Sequence, residues 1–182
     1  MAKNHKKNPK GYKVTPLKTH DIRRTADGVR EYLQIHKPYI DIIGIYDFVL
    51  PEMGVVVDIC LEDELGDKHG ETLPNESIIK IREDVYEGAY NNNGRDRFTL
   101  SHELGHLILH SGVSLARQPT KPNHQIYEDS EWQADTFAAE LLMPTKHIKS
   151  SHTIFDIVNI FGVSTDAAMV RLNKLSQQGV IK

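Results

Sequence analysis

The sequence predicts an α+β fold, mostly helical with a small β-sheet and a C-terminal helical pair. Three observations carry that expectation. Apolar residues recur at helical spacing in several segments, and two β-branched runs interrupt them. Two strongly apolar helices also carry histidines and carboxylates that a core does not accept without partners. A chain of 182 residues with 39% hydrophobic and 26% charged residues suits one globular domain with a small appendage.

MAKNHKKNPKGYK places Lys3, Lys6, Lys7, Lys10 and Lys13 among almost no apolar residues, so residues 1–16 read as a basic, mobile tail. Ile22, Ala26, Val29, Tyr32 and Leu33 set a helix over about 19–36. A second helix is expected over about 39–49, ending before Pro51. GVVVDIC (54–60) and SIIKIR (77–82) read as strands separated by an acidic, glycine-containing hairpin or loop. The second is taken as an edge strand, open to an extended peptide. NNNG (91–94) marks a turn, and a helix carrying RFTLSHELGHLILH (97–110) follows. A loop with Pro119 and Pro122 leads to a helix over about 129–143 that ends at Pro144. Residues 17–150 form the expected main domain. Residues 151–182 read as a helix-turn-helix-like pair packed on it, with Gly162 at the turn and Ser164 capping the second helix. That second helix offers Asp166 early and only Arg171 and Lys174 later, so packing or partner docking is expected over DNA binding.

A net charge of -3 gives no global pull toward nucleic acid or anionic membrane. The single cysteine, Cys60, forms no internal disulfide and reads as a buried structural thiol. No apolar stretch approaches the roughly 18 residues of a membrane span, and the N-terminus lacks a signal peptide's apolar core, so a cytoplasmic protein is expected.

The chemistry sits in HELGH. His102 and His106 lie four residues apart, on one helical face, and can aim two imidazoles at one ion. Glu103 is turned by about 100° and reaches a water on that ion instead. This is the physical content of HExxH: two zinc ligands and a general base. The bland alternative, a surface helix with scattered histidines, fits poorly because Phe98, Leu100, Leu104, Leu107, Ile108 and Leu109 surround them. Gly105 costs the helix about 1 kcal/mol against alanine, which makes sense if another element packs close.

A zinc peptidase centre needs a third protein ligand. His110 continues the row but lies too far along the axis, and reads as a helix-end or ligand-orienting histidine. Leu109 and Gly112 stand where the metzincin pattern needs Gly and His, which excludes that class. The third source is EDSEWQADTFAAELLMP (128–144). On its helical wheel Glu131 falls between Ala138 and Leu142, with Asp135 at the edge of the apolar stripe. Glu131 as ligand, with Asp135 orienting His102, is a coherent arrangement. A capping role for Glu131 is the competing reading, Glu128 and Glu140 are weaker candidates, and Glu140 falls on the polar side of the wheel. Tyr127 and His124 are candidates to steady an oxyanion, and Arg97 is expected to anchor the start of the histidine helix.

RFTLSHELGHLILH followed by E-x-x-A-D-x-FAAELLMP resembles the ImmA/IrrE family of metallopeptidases over about residues 20–176. The resemblance implies a zincin-like core and a gluzincin-type third ligand. It implies a site-specific endopeptidase that binds Zn²⁺, or Mn²⁺, through His102, His106 and Glu131, with Glu103 as general base. It further implies a helix-turn-helix repressor as the protein substrate, whose cleavage derepresses a mobile-element, prophage or stress operon. Members often have Asn four residues after the ligand glutamate, where this chain has Asp135. Two other functions compete: a metallopeptidase-like toxin held by an antitoxin, and a non-catalytic regulator in which metal serves only stability.

Overall fold

A computed structural model describes residues 9–112 and 124–181. The first lysines of the tail and the loop with Pro119 and Pro122 lie outside the described residues. The architecture is mostly helical with one three-stranded sheet, an α+β arrangement.

Helix α1 (Thr19–Tyr32) buries Ile22, Ala26 and Arg30. It ends earlier than its apolar spacing suggested, because Gln34 adopts a left-handed backbone (φ 55) and the Arg30 guanidinium binds the carbonyls of Lys37 and Pro38 just beyond. The second helical segment runs as α2 (Ile42–Gly44), a π-helical stretch (Ile45–Val49) and α3 (Leu50–Glu52). The expectation that it stops before Pro51 is therefore corrected. A proline is excluded from a helix interior by its missing N–H and its clash with the carbonyl four residues back. The wider π stretch just before Pro51 changes that spacing and lets the turn continue.

The sheet has the order β1-β3-β2, with β1 (Val56–Cys60) parallel and β2 (Gly70–Leu73) antiparallel to β3 (Ile78–Arg82). The strand read as an edge is thus the central one. Ile79 and Ile81 are fully buried, as a middle strand with both flanks paired requires. The segment expected as a hairpin or loop holds α4 (Glu62–Leu65) and β2. Cys60 is buried and free at the end of β1.

After α5 (Glu83–Tyr90) come the two helices that build the core: α6 (Gly94–His110) and, beyond a 3-10 turn (Ile126–Glu128), α7 (Ser130–Leu142). They pack face to face at Gly105, where a Cβ would stand 3.0 Å from Phe137 Cδ1 and 3.2 Å from Ala134 Cα. This close approach is the reason for a glycine inside the histidine motif. Helix α1 covers α7 from one side and β2 lies against α6. A 3-10 turn (Thr145–His147) leads to α8 (Ile154–Phe161) and α9 (Thr165–Gln177). Gly162 closes α8 in the left-handed conformation, and the Ser164 hydroxyl caps α9 by accepting from the Ala167 N–H at 3.2 Å.

Two buried cations tie this pair to the core. Arg97 donates to Gly162 O (2.9 Å), Tyr39 Oη (2.7 Å) and Ile40 O (2.8 Å), so it anchors the first turns of α6. Arg171 holds both oxygens of Glu140, at 2.7 and 2.6 Å, together with Met143 O. Glu140 is 1% exposed, which corrects its place on the polar side of the wheel. The wheel could not foresee that α1 and α9 cover that side, each bringing an arginine.

The basic segment is not free along its whole length. Asp129 Oδ2 accepts the N–H groups of Lys10 (2.9 Å) and Gly11 (2.7 Å), and Ser130 Oγ accepts that of Tyr12 (2.9 Å). Val14 N and Leu17 N then bind Glu128 O and Tyr127 O. The reading of 1–16 as a mobile tail therefore fails from Lys10 onward. The start of α7 presents acceptors, and the tail's backbone supplies the donors.

Candidate metal centre

Helix α6 aligns His102 and His106 by their spacing of four, and the close packing at Gly105 brings the first turn of α7 beside them. His102 Nε2 and His106 Nε2 are 3.0 Å apart. Glu131 places Oε2 3.3 Å from His102 Nε2 and Oε1 3.3 Å from His106 Nε2. These three residues form a group whose donor atoms all lie within 4.8 Å of one another. A tetrahedral ion with bonds near 2.0–2.1 Å has ligand-to-ligand edges of about 3.3 Å, so the donor triangle fits such an ion. The donor set, two imidazoles and a carboxylate, also suits zinc chemistry.

The electrostatics favour positive charge at this point. Burial opposes protonation of His102, but hydrogen bonds to Asp135 and Glu131 and the charge of Glu103 outweigh it and push its pKa up to about 10. Burial likewise opposes ionisation of Glu131, yet hydrogen bonds from His102 and His106 hold its carboxyl well below the usual carboxylate range. His102 Nδ1 lies 3.0 Å from Asp135 Oδ1, one turn beyond Glu131.

Glu103, on the flank of α6, is 7% exposed and faces β2. Thr72 Oγ1 donates to its Oε2 at 2.6 Å and to its backbone carbonyl at 3.1 Å. Gly70 permits this contact, since a Cβ there would stand 2.8 Å from Glu103 Cγ. Thr72 and Gly70 escaped the sequence reading. The run GETL is too short and too mixed to show a two-residue alternation.

His110 is 1% exposed, with Nδ1 3.1 Å from His106 Nδ1 and Nε2 3.2 Å from Gln133 Oε1. Burial, and then the charge of His106, push its pKa down to about 4. Of the two oxyanion candidates, His124 is committed to Asp129, with Nε2 3.0 Å from Oδ2. Tyr127 is 46% exposed and presents its backbone carbonyl to Gln133 at 2.9 Å. Glu128 is drawn away to cap its own 3-10 turn, accepting from Gln125 N at 2.9 Å.

Residues 52–173, more than half of the chain, match the M78 peptidase family, described as an IrrE N-terminal-like domain. The chain belongs to this family. Membership in the M78 peptidases makes it a metallopeptidase by family, and the donor triangle supplies a place for the metal. The matched region begins at Glu52, so α1 and the segment bound to α7 precede it, whereas α6, α7 and most of α9 lie inside. A search of curated proteins returned no match. Among the described residues no helix is long and apolar enough to cross a membrane.

Proposed function

We propose that this M78 peptidase is a zinc-dependent, site-specific endopeptidase built on a zincin-like core, and that its substrate is a helix-turn-helix repressor. The observation that carries the chemistry is the triangle of His102, His106 and Glu131 with the Glu103 carboxylate held beside it by Thr72. A structural metal site has no use for that second carboxylate, which argues against the non-catalytic regulator.

In this reading His102, His106 and Glu131 hold the ion, Zn²⁺ or alternatively Mn²⁺, and Asp135 orients His102. The bound metal supplies Lewis acidity and lowers the pKa of water toward neutrality. Glu103 accepts the proton of the attacking water and returns it to the leaving amine. Thr72 keeps Oε2 of Glu103 in place during both transfers. The peptide-binding edge in this reading is β2, not β3: among the described residues β2 pairs with β3 on one side only, and it touches Glu103 through Thr72. A substrate segment added there would run past the general base. The repressor assignment rests on the family resemblance. The inward turn of Arg171 leaves α9 with fewer cations for nucleic acid and supports a protein target.

The test is intact-mass analysis of the purified protein mixed with Zn²⁺ or Mn²⁺ and the repressor-like protein encoded nearest to it. Glu103→Gln is run in parallel. One discrete cut that the variant does not make is the expected result. A cut that survives Glu103→Gln would remove Glu103 from the mechanism. An uncut repressor, with one metal bound per chain, would overturn the substrate assignment.

A further inference from the structure

We infer that Gln133 and His110 form a hydrogen-bond relay that fixes the proton of His106 on Nδ1 and so leaves Nε2 free to bind the metal. Both are positioning residues, and the inference rests on the metal-centre reading above. The relay begins at two backbone carbonyls. Gln133 Nε2 donates to Thr15 O at 2.8 Å and to Tyr127 O at 2.9 Å. Only the amide nitrogen can face two acceptors, so the side chain cannot be flipped, and Oε1 must face His110. It lies 3.2 Å from His110 Nε2.

An amide oxygen only accepts, so His110 carries its proton on Nε2. His110 is 1% exposed, and among the described residues its two ring nitrogens meet Gln133 and His106 alone. A charged ring with no carboxylate partner is costly there, so the ring is neutral and Nδ1 holds a lone pair. His106 Nδ1 faces that lone pair at 3.1 Å. One proton must lie between the two nitrogens, and it belongs to His106. Its Nε2 is then an acceptor, turned toward His102 Nε2 at 3.0 Å and Glu131 Oε1 at 3.3 Å.

The two histidine ligands are therefore oriented by different means. Asp135, 60% exposed, holds His102 with a charge at the surface. A neutral buried chain holds His106 and adds no charge to the centre. The relay also gives the segment bound to α7 a role, since Thr15 supplies one of its two anchoring carbonyls. HELGHLILH contains the row of histidines, but Gln133 has no sequence signal linking it to them.

The experiment uses the full-length chain with ¹⁵N-labelled histidines. Two-bond ¹H–¹⁵N spectra, with and without Zn²⁺, report which ring nitrogens carry protons. The expected result is a proton on Nε2 of His110 in both states and on Nδ1 of His106 in the zinc form. A proton on Nδ1 of His110 would overturn the relay. Zinc affinity is then measured by chelator competition. Gln133→Met and His110→Leu are expected to bind roughly 10- to 100-fold more weakly. His110→Asn, whose amide oxygen takes the place of Nδ1, should stay within a few-fold of wild type. Gln133→Met with wild-type affinity would refute the relay while leaving the metal centre standing. A wild-type chain that binds no zinc would overturn the centre itself, and the relay with it.

Discussion

Glu140 is the buried anion between three helices, and its removal has a calculable cost. Arg171, on α9, holds its oxygens at 2.7 and 2.6 Å, and Arg23, on α1, holds them at 3.0 and 3.1 Å. Glu140 and Arg171 are each 1% exposed at the side chain, while Arg23 is 27% exposed. In Glu140→Leu the Arg23 head can turn to water, but among the described residues Arg171 keeps only Met143 O and Thr145 Oγ1 as partners. Stranding one member of a buried pair costs about 3–5 kcal/mol. For a chain of this size that lowers Tm by about 6–20 °C. Thermal unfolding of the metal-free protein by circular dichroism gives the number. The double variant Glu140→Leu/Arg171→Met removes both charges and should lose no more than Glu140→Leu alone. The pH dependence has a definite sign. Burial opposes ionisation of Glu140, but hydrogen bonds from Arg171 and Arg23 outweigh it and hold its pKa below the ordinary carboxylate value. Its contribution is therefore complete above the unfolded pKa, about 4.3, and is lost as pH falls through the lower folded value. Glu140→Leu should flatten the acid limb of the stability curve. A loss below about 1 kcal/mol, with the acid limb unchanged, would refute the reasoning.

Three further outcomes follow from contacts around the centre. Thr72→Val removes the donor to Glu103 Oε2, and a charged hydrogen bond of this kind is worth about 1.5–3 kcal/mol; kcat on the cleaved substrate should fall roughly tenfold or more while zinc affinity holds. Gly105→Val forces side-chain atoms against Phe137 and Ala134, so urea unfolding should show a loss of about 1–3 kcal/mol and zinc binding should weaken as α6 and α7 separate. Asp129→Ala deletes the cap on Trp132 N and the acceptor of Lys10 and Gly11 N–H; a stability loss of about 2 kcal/mol is expected, with faster proteolysis within residues 9–17.

The linear sequence determined what local spacing can determine. Four-residue intervals on a helix place His102 above His106, and Glu131 one turn before Asp135, whatever else the chain does. Gly105 announced a close neighbour because nothing local rewards a glycine in that helix. Gly162 and Ser164 announced a turn and a cap by their own backbone and side-chain preferences. Other features depend on which segments meet. That SIIKIR is central and GETL is the edge follows from pairing between strands, which a short mixed run does not encode by itself. Glu140 looked solvent-facing until α1 and α9 covered it with arginines. Thr72 became the partner of Glu103, and Gln133 that of His110, only when chain packing brought residues 31 and 23 positions apart into contact. Periodicity fixes directions within one element. The partners that orient a catalytic carboxylate or a ligand imidazole come from other elements, and only tertiary packing selects them.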